Sequence, residues 1–228
     1  RAARYLWANM IQQFKPKQAQ SSMLRTHCQT SGWSLTEQDP FNNIVRTTIE
    51  ALAATLGGTQ SLHTNSYDEA IGLPTDESAT IALRTQQILA HETGVTDTVD
   101  PLAGSYYVES LTDRLESEAL DYIRRMDDMG GALGALDAGF QISEIHESAY
   151  DYQRQVESED RIVVGVNRYQ SPTPPIEQLQ TIDPAQTQRQ LDRLARVKRD
   201  RDDSAVSASL QNLENIARGT DNTMPAIL

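Results

Sequence analysis

The sequence predicts an α/β fold with a parallel sheet. Through residues 1–110, helical and strand-like segments alternate, each strand about 35 to 40 residues after the last. The helical segments carry apolar residues at 3.6-residue spacing, and glycine or proline closes each one. A period of that length is a strand plus its crossover helix.

The first helix spans about Arg1 to Phe14, with Leu6, Met10 and Phe14 on one face, and Pro16 ends it. A strand over Met23 to Gln29 follows. Thr36 reads as the N-cap of the second helix, with Glu37 and Asp39 in its first turn; Val45, Ile49, Leu52 and Leu56 form its apolar face and Gly57-Gly58 its stop. The second strand is Thr59 to His63. Thr75 caps the third helix, Asp76 and Glu77 sit in its first turn, and Ile81, Ile88 and Leu89 face the core before Gly94.

A third strand is expected around Val99-Asp100-Pro101, leading into Gly104 to Val108. From Leu111 to about Tyr152 the chain reads as helices broken at Gly130-Gly131 and Gly139, and Ile162 to Val166 as a short closing strand. Residues 171–187 hold four of the nine prolines and read as an extended linker. Residues 188–218 form an Arg- and Asp-rich helical stretch, amphipathic through Leu191, Leu194 and Val197, and DNTMPAIL begins another helix. Starting at Arg1 and stopping inside a helix, the sequence reads as a piece of a longer chain.

Charge narrows the function classes. With 32 acidic and 20 basic residues the net charge is −12, which repels nucleic acid and anionic lipid. Mean hydropathy is −0.53, and no run reaches the roughly 20 apolar residues of a membrane span. No secretory or transit signal is visible, so a cytoplasmic protein is expected. A single cysteine, Cys28, excludes an internal disulfide and a Cys-rich zinc module.

Polar residues gather at strand ends: Arg25, Thr26, His27 and Gln29 on the first, His63, Thr64 and Asn65 on the second, Asp100 on the third. In parallel α/β folds ligands meet those ends, although the same residues also serve to tie βα loops together. His27, Cys28 and His63 are metal-ligand types, but neighbours on a strand point to opposite faces, and no zinc spacing supports them. The same adjacency argues against a Cys28–His27 nucleophile pair. Gly130-Gly131 follows a helix and reads as a helix stop, not a phosphate loop. Trp33 is a core aromatic or an apolar platform, and Glu69 is an acceptor for a sugar diol or a solvated loop carboxylate.

Two strings say more. Leu24 to Thr36 (LRTHCQTSGWSLT) and Gly57 to Ala70 (GGTQSLHTNSYDEA) resemble the methylmalonyl-CoA mutase family of adenosylcobalamin-dependent acyl-CoA mutases. Asp100 to Tyr106 (DPLAGSY), Met129-Gly130-Gly131 and Val164 to Tyr169 (VGVNRY) extend the resemblance over residues 1–170. It implies the later strands of a (β/α)8 TIM barrel over residues 1–170, then a linker at 171–228 toward a B12-binding domain or small subunit outside this chain. It also implies radical isomerisation of (R)-methylmalonyl-CoA to succinyl-CoA, with adenosylcobalamin as cofactor and a homo- or heterodimer as the assembly.

On matching positions, Gly32, Glu69 and Ala70 would line the cobalamin, Glu69 at the adenosyl ribose, with His27, Gln29 and Trp33 near the corrin. The family's catalytic residues, most of its CoA contacts and its cobalt ligand match nothing in this chain, so no catalytic or metal residue is assigned. Arg25-Thr26-His27 favours methylmalonyl-CoA over isobutyryl-CoA or ethylmalonyl-CoA as substrate. A degenerate, non-catalytic mutase subunit is the other reading within the family, and retention of Gln29, Gly32, Trp33 and Glu69 argues against it. Outside the family stands a zinc hydrolase built on His27 and His63, which metal analysis would separate.

Overall fold

Two strands, β1 (His27–Gln29) and β2 (Ser61–His63), run parallel with His27 opposite Ser61, Cys28 opposite Leu62 and Gln29 opposite His63. They belong to a computed structural model that describes residues 1–172 and 179–228. It comprises two compact units, Arg1–Gln180 and Thr181–Leu228.

In the first unit, α1 (Ala2–Met10) runs into a 3-10 turn at Ile11–Phe14 and packs on α4 (Tyr106–Asp128). Both strands are shorter than the sequence suggests. The Gln60 side chain explains this: its Oε1 accepts from the Thr26 backbone N–H at 2.7 Å, and the Gln60 and Ser61 amides both reach the Thr26 carbonyl. A side chain thus takes the ladder position, and regular pairing starts at His27.

Helix α2 (Asn42–Leu56) connects the strands, so β1, α2 and β2 form one βαβ unit. It starts six residues after the expected cap Thr36, because Pro40 disfavours a helical Asp39, which instead takes φ +46°. Its core face is also not the expected one. Asn43, Thr47 and Ala51 are buried at i, i+4, i+8, while Val45 and Ile49 remain 59% and 62% exposed. Asn43 can be buried because its amide donates to the Thr36 and Tyr67 carbonyls, both at 2.8 Å.

Helix α3 (Asp76–Glu92) begins as expected, the Thr75 hydroxyl accepting from Ser78 N–H at 3.2 Å. It packs on α2 and buries Ser78, Ala82, Thr85 and Leu89. Ile88, expected inside, is 46% exposed.

The expected third strand is absent. Asp100 has φ +47°, Pro101 has no N–H to donate, and Val99 is 93% exposed, so the chain turns and Ser105 caps α4. Helices α5 (Gly131–Asp137) and α6 (Phe140–Glu157) follow, separated at the predicted glycines: Gly130 has φ +93° and Gly139 φ +74°. The closing strand at Ile162–Val166 is also absent. Gly165 at φ +83° and the Asn167 amide, which accepts from Val163 N–H at 2.7 Å, make a tight turn with one bridge, Val164 to Arg168.

Residues 173–178 of the predicted linker lie outside the described residues. The second unit carries α7 (Pro184–Asp200), α8 (Asp203–Ala217) and α9 (Met224–Ile227), the last two packed together. The single stretch expected over 188–218 is divided because Asp202 caps α8, accepting from Ser204 and Ala205 N–H at 2.9 and 3.0 Å. No helix among the described residues is long and apolar enough to cross a membrane. The architecture is α/β, and the sheet of the described residues has two strands.

Candidate functional site

The parallel pair has a polar and an apolar face. His27, Gln29, Ser61 and His63 are exposed on one side, whereas Cys28 and Leu62 are half-buried on the other. Strand periodicity requires that split, and it separates His27 from Cys28 as expected. The loops after β1 and β2 leave the same C-terminal edge, where Thr30 N–H donates to the His63 carbonyl at 3.1 Å and Thr30 Oγ1 accepts from Asn65 N–H at 2.9 Å.

Those contacts bring Gly32 of the first loop against Glu69 and Asn65 of the second. A Cβ built on Gly32 would stand 2.7 Å from Glu69 Oε1 and 3.2 Å from Asn65 Nδ2. Gly32 does not have a left-handed φ, so closeness of approach, not backbone conformation, is what calls for glycine here. Gln29 Nε2 donates to Asn65 Oδ1 at 3.3 Å. Asn65 is 2% exposed, yet its Nδ2 has no partner among the described residues. Glu69 and Ala70 are exposed beside it.

A buried amide left with unused donor capacity, next to an exposed carboxylate, is suited to a ligand that offers hydroxyls. A groove of about 620 Å³ runs past the carboxylate, lined by Gln29, His63, Thr64, Glu69, Leu73 and Gln86 among others. Behind the loop, burial pushes the Tyr67 phenol up in pKa, with the Glu77 and Asp68 charges adding to it.

Other expected positions lie apart from this cluster. The Trp33 ring is 73% exposed and meets Tyr152 of α6 edge-on, centroids 4.6 Å apart, with the Arg161 guanidinium 5.0 Å from the Tyr152 ring centre. Among the described residues the ring is therefore not buried. His27 lies one strand position pair below the groove, its Nδ1 2.7 Å from Ser61 Oγ. Asp100 ion-pairs with Arg1, which also meets Glu109 at 2.6 Å, and so ties α1 to the start of α4. Among the described residues no three His, Cys, Asp or Glu side chains are grouped to hold a metal.

The sequence placed Thr64 and Asn65 among the polar residues at the end of the second strand without giving either a role, and it did not single out Gln86. Asn65 lies within the second family-like string, but only the fold shows its amide to be buried and unpaired. Gln86 carries no local signal: it reaches the groove because α3 crosses the end of β2, placing its Nε2 3.0 Å from Thr64 Oγ1.

Comparison with known proteins accounts for the pattern. The family model for methylmalonyl-CoA mutase matches residues 1–228. Methylmalonyl-CoA mutase of Rhizobium meliloti is 52% identical over 228 residues, covering 99% of this chain and 32% of its own length. The Escherichia coli protein of that name is 49% identical over 227 residues, 99% of this chain and 32% of its own. The mitochondrial protein of Homo sapiens is 45% identical over 229 residues, 100% of this chain and 30% of its own. The chain spans about a third of the length of the curated relatives it matches. With a family model matched end to end and the two strings brought together at one sheet edge, the chain belongs to the methylmalonyl-CoA mutase family.

Proposed function

We propose that this chain forms part of the barrel of an adenosylcobalamin-dependent mutase that interconverts (R)-methylmalonyl-CoA and succinyl-CoA, and that its β1 and β2 loops hold the cofactor. The observation that carries the reading is the Gly32–Asn65–Glu69 cluster. Its residues fit the cofactor: an amide with an unpaired donor and a carboxylate stand together where a ribose diol needs one donor and one acceptor, and the missing side chain at Gly32 is what lets Glu69 and Asn65 come that close to the first loop. Bound adenosylcobalamin supplies the radical chemistry that amino-acid side chains lack.

The chain's own residues then bind and enclose. The Glu69 carboxylate accepts from a ribose hydroxyl, and Asn65 Nδ2 donates to the other. Gln29 holds Asn65 in orientation through its 3.3 Å hydrogen bond. Trp33, Ala70 and His27 cover neighbouring cofactor surface and exclude water. In this reading the acyl-CoA substrate meets barrel strands outside these residues, residues 171–228 lead toward a B12-binding domain or subunit, and the protein acts as a dimer in the cytoplasm.

The test uses the full-length enzyme loaded with adenosylcobalamin. Conversion of methylmalonyl-CoA to succinyl-CoA, faster than turnover of isobutyryl-CoA or ethylmalonyl-CoA, is the expected result. Turnover of isobutyryl-CoA alone would overturn the substrate assignment. A folded protein that binds no cobalamin at micromolar concentration would overturn the cofactor assignment and identify a non-catalytic subunit.

A further inference from the structure

Glu50 sits on α2, half-buried, directly behind the loop that carries Gly32 and Trp33. Its Oε2 accepts from Ser31 N–H at 2.6 Å, and its Oε1 lies 2.5 Å from the Ser34 hydroxyl. One carboxylate therefore grips both flanks of a four-residue segment whose middle two residues are Gly32 and Trp33. We propose that Glu50 is a positioning residue for the cofactor site, setting the Gly32–Trp33 backbone at the height from which it meets the cobalamin. The inference rests on the cofactor reading above.

Three features favour placement over general support. The segment is lightly packed, since Ser31 is exposed, Trp33 touches Tyr152 with one edge while 73% exposed, and Leu35, 7% exposed, is the residue that enters the core. Hydrogen bonds to a carboxylate are shorter and roughly twice as strong as neutral ones, so Glu50 outweighs the backbone turn bond from Leu35 N–H to the Gly32 carbonyl at 3.2 Å, and it is a stronger acceptor for the Ser34 hydroxyl than the Ser31 carbonyl, which lies 2.7 Å from the same oxygen. Helix α2 is itself fixed to the β2 loop by the Asn43 amide on the Tyr67 carbonyl. Glu50 thus refers the Gly32 loop to the same frame that carries Asn65 and Glu69.

The experiment titrates adenosylcobalamin into full-length apoenzyme by absorbance, with unfolding midpoints and acyl-CoA KM measured beside it. Glu50→Leu is expected to raise the cofactor Kd about tenfold or more. Acyl-CoA KM should stay within about twofold. Glu50→Gln, which keeps an acceptor, should recover most of the affinity. Wild-type Kd in E50L would overturn the proposal, as would equal losses in E50L and E50Q that track a lowered midpoint. If E50L does not fold, Ser34→Ala removes the Oε1 arm, together with the hydroxyl's contact to the Ser31 carbonyl, and should raise Kd about threefold, and an unchanged Kd overturns the proposal. Failure of the wild-type enzyme to bind cobalamin is a separate result: it removes the cofactor reading and this inference with it.

Discussion

The carboxylate of Glu69 occupies the space that a side chain on Gly32 would need, with Oε1 2.7 Å from a Cβ built there. Neither residue is close to the other in sequence, and the glycine's backbone is one that any residue adopts. The two loops therefore meet at this point through side-chain size alone. The nearest obstructing atom is the tip of an exposed, flexible side chain and the next, Asn65 Nδ2 at 3.2 Å, belongs to a buried one, so a larger residue at 32 would displace Glu69 first and press on the Asn65 amide without unfolding the loop. Gly32→Val in the full-length enzyme is expected to abolish cofactor loading while the apoenzyme's unfolding midpoint moves little. Matching losses of stability and cobalamin binding would make Gly32 a purely structural position.

Removal of the carboxylate itself should have a narrower effect. A hydrogen bond to a charged group contributes about 1.5–3 kcal/mol, so Glu69→Ala should weaken adenosylcobalamin binding by roughly one to two decades. Acyl-CoA affinity should be nearly unchanged. Equilibrium titration of the intact enzyme checks this, and unchanged cofactor affinity would return Glu69 to the role of a solvated loop carboxylate.

Asn65 predicts opposite effects on stability and binding. A buried donor without a partner costs about 1–3 kcal/mol, and Nδ2 is such a donor. Asn65→Leu removes it and fills similar volume, so the apoenzyme's unfolding midpoint should hold or rise while cofactor affinity falls about tenfold. A midpoint that drops with no change in cobalamin affinity would show the amide to be a core hydrogen-bonding group only.

The chain by itself should be inactive. Among the described residues the two-stranded sheet leaves outer edges without a strand, and Val45, Ile49, Phe41 and Trp33 are each more than half exposed. Residues 1–228 expressed alone are expected to aggregate or stay molten, to bind cobalamin weakly and to form no succinyl-CoA from methylmalonyl-CoA. Cooperative unfolding together with mutase turnover would refute the reading of these residues as part of a larger barrel.

Between α4 and α6, Glu144 accepts from the Tyr122 hydroxyl and pairs with Arg125, both at 2.7 Å. The Tyr122 hydrogen bond first and Arg125 second hold the Glu144 carboxyl below its ordinary pKa. A carboxyl lowered on folding stabilises the fold above its unfolded pKa, about 4.3, and loses that contribution as pH falls through the folded value. Glu144→Gln should therefore make stability of the full-length enzyme less pH-dependent below about pH 4. Parallel acid-unfolding curves for variant and wild type would count against the pair.

By itself the sequence determined the helices whose boundaries are set locally. Thr75 and the glycines at 130, 131 and 139 act within one turn of their own positions, through a hydroxyl on a nearby amide or a left-handed φ, so composition is enough to place them. It also determined the family, because the strings around Gly32 and Glu69 are long and specific. The tertiary structure decided what depends on distant partners. Strand length was set by Gln60 reaching Thr26, and the core face of α2 by Asn43 finding the Tyr67 carbonyl, which let a polar stripe displace Val45 and Ile49 from the interior. Two expected strands became turns once Asp100 and Gly165 took positive φ. Asn65 entered the site for the same reason: whether an amide is buried and unpaired is a property of everything folded around it, and no spacing in the chain records it.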